Sequence, residues 1–366
     1  MLDERRERRR MRMLLGIAVL ACLVLLASVV PSPYAIEQPG PVVDTLGETP
    51  VDDRSVPVVA IEDAETYPTS GELNLLTVSI LGDPDRPQSW LSLVPALFDP
   101  SRRVAPVSEF YPSGMTVEQR ETENTALMDG SQAQAAAAAF RELGEEVGAQ
   151  LTVAGVSDGG PADGVLEPGD VIAEIDGEPV ADFAALRDRI AEAGAGGELR
   201  FGILRDGAER ELVLEPRAPE GGEEPLIGVT IATSYELPAQ VDINLSQIGG
   251  PSAGLVFALA ILDRLTPGEM LDGLTVSGTG TMSDDGRVGA IGGLDQKMWA
   301  AQRAGSDLFL MPVENCADLP EQLPPGLRIA PVDTLEEAVS AIEAAAAGGE
   351  PAGIERCGVE GVEAGG

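Results

Sequence analysis

The stretch LSQIGGPSAGLVFALAILDRL, residues 245–265, decides the fold. From Ala253 to Leu265 it is apolar on nearly every face, which predicts a helix buried on all sides. Ser252 stands at its start, within Gly249-Gly250-Pro251-Ser252-Ala253-Gly254. A serine in that place is commonly no more than a helix N-cap. The small residues around it also let a backbone or a substrate approach closely. The start of a helix offers free N–H groups, which suit an oxyanion.

Forty-five residues further on, GGLDQKMWAA (292–301) contains Lys297. Of the 24 basic residues in the chain, 23 are arginine and this one is lysine. A helix over 294–304 puts Leu294, Met298 and Ala301 on one face, and Lys297 falls on the same face. A charged amine buried there is costly, and burial lowers its pKa until a neutral amine can accept a proton. A snorkelling or salt-bridged lysine is the ordinary alternative, but arginine fills that role everywhere else in this chain. Between the two stretches, GLTVSGTGTMSDDGRVGAIGG reads as a strand, a turn at Asp284-Asp285-Gly286 and a second strand.

Composition excludes several kinds of chemistry. The chain of 366 residues has no histidine, which removes Ser-His-Asp and Cys-His catalysis and the zinc motifs that need imidazole. No metal and no cofactor is expected. The net charge of −37 argues against nucleic acid as a partner. Richness in Ala, Gly, Asp, Glu and Arg points to a GC-rich genome.

The N-terminus is charged and then apolar. Residues 1–12 carry six arginines and three acids, and 13–30 (MLLGIAVLACLVLLASVV) are 18 uncharged, mostly apolar residues. Such a run predicts a single transmembrane helix of about 27 Å, with residues 1–12 cytoplasmic and the body extracytoplasmic. A cleaved signal peptide is the rival reading, disfavoured by the length of the run and the lack of a small-x-small site after it. Residues 31–70, rich in proline and acid, read as an extracytoplasmic linker or arm.

The rest divides by rhythm. GELNLLTVSIL (71–81) predicts a strand, and ENTALMDGSQAQAAAAAFRELGEEVG (123–148) a helix capped by Asp129 or Ser131. SWLSLVPALFDP and VAPVSEFYP support no assignment. Residues 147–217 predict a small β-rich unit with one helix at DFAALRDRIAEA and a hairpin turned at Asp206-Gly207. Cys316 and Cys357 lie on the expected outer side, where oxidation is favoured, and a bond between them would tie down the polar tail, 346–366.

Two resemblances give these segments roles. GPADGVLEPGDVIAEIDGEPV and LRDGAERELVLEP resemble the PDZ domains of bacterial envelope proteases, which bind peptides by adding a strand to a sheet edge. GGPSAG and GAIGGLDQKMWAAQRAG…LFLMPVENCADL resemble the two signature blocks of Lon proteolytic domains, in the right order. With the anchor, the chain resembles the PDZ-containing Lon-like proteases of Gram-positive bacteria, its composition leaning towards actinobacteria. The resemblance implies an α+β fold: a Lon-type domain in two parts, 71–146 and 218–345, with the PDZ domain of 147–217 inserted between them. It implies a Ser/Lys dyad with Ser252 as nucleophile and Lys297 as general base. Ser277, in TVSGTG, falls where the family has a threonine that hydrogen-bonds the lysine, and Gly250 and Ala253 support the nucleophile. Protein or peptide substrates and ATP-independent hydrolysis follow, since the one lysine is already placed and none is left for a phosphate-binding loop. Lon domains often form hexameric rings; without the ATPase half part of that drive is gone, and a homo-oligomer stays open.

The sequence departs from the family at Gly249, where an acid is usual, and at Asp295, where a base is usual. Other Ser/Lys readings fit less well. A signal peptidase would hold its serine close to the anchor, and a penicillin-binding Ser-x-x-Lys site is blocked by Leu294. The non-enzymatic alternative is a membrane-tethered PDZ scaffold with an inactive protease fold.

Overall fold

The computed structural model describes every residue except Met1, Asp52, Asp53, Ser113, Gly114, Glu220, Gly221, Glu223, Ser246, Gln247 and 359–366. Most of the expected tail, from 359 on, therefore lies outside the described residues. The chain divides into two compact units: residues 1–135 with 241–366, and residues 136–240. The second unit is thus inserted in sequence within the first.

The first unit is built on a mixed six-stranded sheet. Its strands are β1 (Tyr34–Asp44), β2 (Glu72–Leu81), β3 (Arg103–Pro106), β4 (Thr275–Gly278), β5 (Leu308–Pro312) and β6 (Ile329–Val332), in the spatial order β6-β5-β4-β2-β1-β3. β2, β4, β5 and β6 run parallel, while β1 is antiparallel to both β2 and β3. All five residues of β5 and all four of β6 are buried, as parallel strands covered on both faces require.

The helices of this unit are α1 (Leu2–Val29), α2 (Val117–Glu142, which runs on into the second unit), α3 (Gly254–Leu265), α4 (Leu294–Arg303) and α5 (Leu335–Ala346). Leu294, Met298 and Ala301 of α4 pack with Leu76, Phe309 and Met311. The intervening Leu310 lies with Val256 of α3 around Gly278, where a Cβ would come within 3.0 Å of Val256 Cγ2. The two-residue alternation of β5 thus divides its side chains between α4 and α3. As expected for a helix apolar all round, the ten residues Gly254–Asp263 are buried.

Three expectations need correction. Residues 31–70 are not a linker. β1 lies inside the sheet, with Ala35 and Ile36 in the core. Its prolines misled because Pro39 and Pro41 sit at a bulge between Pro39 and Val42, where ladder hydrogen bonds are interrupted and a missing N–H costs little. Asp129 and Ser131 do not cap a helix, since α2 begins at Val117 and runs through them; the alanine-rich stretch after them favours a continuous helix despite their preference for caps. The unassigned SWLSLVPALFDP and VAPVSEFYP form a helical turn at Trp90–Leu93, a 3-10 turn at Pro95–Phe98, the strand β3 and a helical turn at Val107–Phe110.

The inserted unit is a second sheet with the helix Phe183–Ala193 and one apolar cluster that includes Leu151, Ile172, Leu186 and Phe201. Its hairpin turns at Asp206-Gly207, as expected, with φ of 53° and 76°, the left-handed pair of a type I′ turn. The unit extends beyond 147–217, because the strand Val229–Glu236 pairs along Gly148–Val156 and sends Val229 and Ile231 towards the same cluster. A polar, Gly- and Pro-rich stretch separates that strand from the preceding hairpin and hid its membership.

α1 contains one segment, Arg10–Val29, of 20 residues and mean hydropathy 2.4, the length and apolarity of a membrane span or a signal sequence. Cys316 and Cys357 are disulfide-bonded with their Cα atoms 5.2 Å apart, and Cys22 is free and exposed. Thiol labelling of the denatured, unreduced chain should therefore modify one cysteine, rising to three after reduction. Three labels before reduction would rule the bond out.

Candidate active site

The site lies where α3, α4 and the end of β4 meet. Residues 249–253 are held from two sides. Gly250 N donates to Asn124 O on α2 at 3.0 Å, and Ser131 Oγ donates to Pro251 O at 3.0 Å. From the two residues just past β4, Gly280 N and Thr279 Oγ1 both donate to the Ser252 carbonyl, at 3.0 and 3.2 Å. Ser252 is thus fixed through its backbone, leaving its side chain for other work.

The small residues here are sterically required. A Cβ on Gly249 would stand 2.8 Å from Asn124 Cβ, so the acid usual at this position would collide with α2. Gly250 has φ of +94°, a conformation open to glycine. A Cβ on Gly254 would meet Met282 N and Cβ at 2.8 Å. Ala253, not Ser252, is the N-cap of α3, and no side chain accepts from the first-turn amides. Leu255 N is taken by Gly280 O, so the donors left for a ligand precede it.

Lys297 is 3% exposed. Its Nζ donates to Thr279 Oγ1 at 3.0 Å. Burial lowers its pKa to about 7, against an opposing pull from the charge of Glu37. Glu37, on β1, is itself buried and accepts from Arg103 Nε at 2.6 Å. α4 starts close against this carboxylate. Gly293 has φ of +68°, and a Cβ there would lie 2.6 Å from Val78 Cγ2 and 3.2 Å from Glu37 Oε1. Asp295, in the first turn of α4, is half-buried, and burial raises its pKa.

Ser252 and Lys297 line one cleft of about 870 Å³, together with Glu37, Val78, Tyr111 and Arg120. Gly250 and Ala253 line it too. Ser277 does not. Its hydroxyl is buried against Ser306 Oγ at 2.6 Å, and the partner of the lysine is Thr279, two residues further along. Both hydroxyls have the same strand parity, but only the later one reaches the end of β4 where the Ser252 carbonyl sits. Glu37 was missed because its segment looked like a linker.

The stretch that holds Ser252, Thr279 and Lys297 is similar to known proteins. Residues 247–344 match the family described as Lon protease (S16) C-terminal proteolytic domain. The chain carries a Lon-type proteolytic domain. Residues 114–215 match the PDZ domain family, a span that starts three residues before α2 and ends before Val229–Glu236. The Lon protease of Chloroflexus aurantiacus is 35% identical over 143 residues, covering 38% of this chain and 16% of that protein. That of Haemophilus influenzae is 38% identical over 115 residues, covering 30% and 13%. The chain therefore spans a small part of the length of these relatives. Among solved structures, the PDZ domain of an SdrC-like protein from Listeria monocytogenes is 28% identical, covering 22% of this chain and 86% of that one, with a TM-score of 0.21.

The depressed lysine pKa has a thermodynamic consequence with a definite sign. Between about 7 and the ordinary lysine value, the unfolded chain binds a proton that the folded chain does not, so stability rises with pH in that window. The burden of Lys297 is greatest below about pH 7 and fades in alkali. Lys297→Met, which keeps the volume, should melt higher than the parent near neutrality. Its advantage should shrink by about 1 kcal/mol per pH unit above 7. An advantage that does not change with pH would mean that the lysine stays charged in the fold.

Proposed function

We propose that this chain is a membrane-anchored serine endopeptidase that works without ATP, with Ser252 as nucleophile and Lys297 as general base. The observation that carries the reading is the sole lysine of the chain, buried in the wall of the cleft that Ser252 lines and held by Thr279.

In this mechanism the neutral Lys297 amine takes the proton of Ser252 Oγ as the oxygen attacks a substrate carbonyl. The backbone N–H groups at the entry to α3, before Leu255, receive the oxyanion. Lys297, now an ammonium, gives its proton to the departing amine. A water then enters, loses a proton to the lysine and releases the acyl group from Ser252. Thr279 aims the amine, and burial keeps a useful share of it neutral. Arginine could not substitute, because it stays protonated at all working pH values.

The substrates fit a protein without an unfolding motor: peptides and already unfolded segments. The inserted domain would recruit them by strand addition, and Val229–Glu236 is an edge strand of its sheet. The span in α1 would hold the body outside the cytoplasm, since the arginines precede it.

Peptide hydrolysis by the purified full chain tests the reading. Ser252→Ala and Lys297→Arg should each lose at least about 100-fold in kcat/KM while still folding. The wild-type profile should fall in acid below about pH 7, and ATP should leave the rate unchanged. Lys297→Arg with substantial activity would remove the lysine from the chemistry.

A further inference from the structure

Residues 87–98, PQSWLSLVPALF, form the longest uncharged stretch near the base of α1, and the structure folds them back beside it. Ser32 N donates to Gln88 O at 2.7 Å, Pro31 bridges Ser89, and Trp90 N approaches Val30 O at 3.4 Å. The helical turn and the 3-10 turn that follow are apolar on both sides. Leu93 and Ala96 point inward, packed with Ile36. Trp90, Leu91, Val94, Leu97 and Phe98 point outward, with Leu97 68% and Phe98 83% exposed. An aromatic ring and four aliphatic or aromatic neighbours facing water in one short segment are costly without a partner.

The place of the patch says what that partner is. The apolar run of α1 is 20 residues, about 30 Å of helix, which matches a bilayer core. The patch lies beside the end of that run, where Trp90 N approaches Val30 O. A chain segment at that depth meets the boundary between headgroups and acyl chains, where tryptophan and tyrosine are favoured. Trp90 and Tyr34 stack edge-to-face there, centroids 5.8 Å apart. Attraction to anionic lipid does not help, because the residues after the first twelve are strongly acidic. Contact must come from apolar burial.

We propose that residues 90–98 are a second membrane contact, inserting Trp90, Leu91, Val94, Leu97 and Phe98 into the lipid boundary beside α1. The proposal rests on the reading that α1 spans the membrane. The contact would hold the peptidase body against the bilayer at a fixed orientation, where a single helix followed by a free linker would let it swing.

The chain has two tryptophans, so the difference between wild type and Trp90→Phe reports Trp90 alone. The test reconstitutes both full-length proteins in phosphatidylcholine vesicles, with and without bromine near the carboxyl end of the acyl chains, and washes the vesicles with alkaline carbonate. The expected result is a chain that resists the wash, with Trp90 emission quenched about two-fold or more by shallow bromine, and with that quenching relieved in Leu97→Glu/Phe98→Glu. A wash-resistant chain whose Trp90 is blind to bromine overturns the contact and leaves the anchor standing. A Trp90 shielded only at high protein density, without quenching, overturns it in favour of a second copy. A chain released by carbonate overturns the anchor, and this contact with it.

Discussion

One hydroxyl ties the candidate site together. Thr279 Oγ1 accepts from the amine of Lys297 and donates to the backbone carbonyl of Ser252. Each of the three residues comes from a different part of the chain: Lys297 from α4, Thr279 from the end of β4, Ser252 from the loop before α3. The two helices pack against side chains of opposite parity in the sheet, so nothing in either helix alone fixes the separation of their functional groups. A strand passing between them does. Thr279 is wholly buried, which leaves its hydroxyl no water as an alternative partner.

The same constraint explains why the surroundings are so lean in side chains. Gly249, Gly254, Gly278 and Gly293 each stand where a Cβ would strike backbone or a packed aliphatic group at 3.0 Å or less. Close approach of α2, α3, α4 and the sheet is what buries Lys297, and burial is what lowers the pKa of its amine. Glu37 moderates this. A buried carboxylate near the amine favours the charged form, and Arg103 in turn holds that carboxylate. Packing and charge oppose each other here, and the lysine is left near the middle of the titration range.

The sequence made the site more legible than the frame around it. Ser252 and Lys297 could be singled out because each violates a local rule. The serine stands among small residues just before a helix that is apolar on nearly every face, and the lysine interrupts an apolar face in a chain that otherwise uses arginine. Thr279 violates no rule, and parity alone could not separate it from Ser277. What chose between them is the distance along β4 to a loop 27 residues upstream, a tertiary fact. β1 was hidden for a different reason. Two prolines and a glycine in eleven residues contradict strand propensity, and only pairing with β2 and β3 on either side overrides it. The inserted domain was recognised from its middle, whereas its last strand lies past a polar break and joins by pairing with the first.

Because β1 begins so soon after α1, the body would be hard to shed from a membrane. A cut beyond Tyr34 would remove part of a strand paired on both sides, and the remaining sheet would have to close over the loss. The residues that a protease could cut harmlessly are the few between Val30 and Pro33, and these are already occupied. Ser32 is buried, and its backbone is bonded to Gln88. In place of a tether that could be clipped, the chain has a junction folded into its own globule. Its release from the bilayer and its unfolding would begin with the same event.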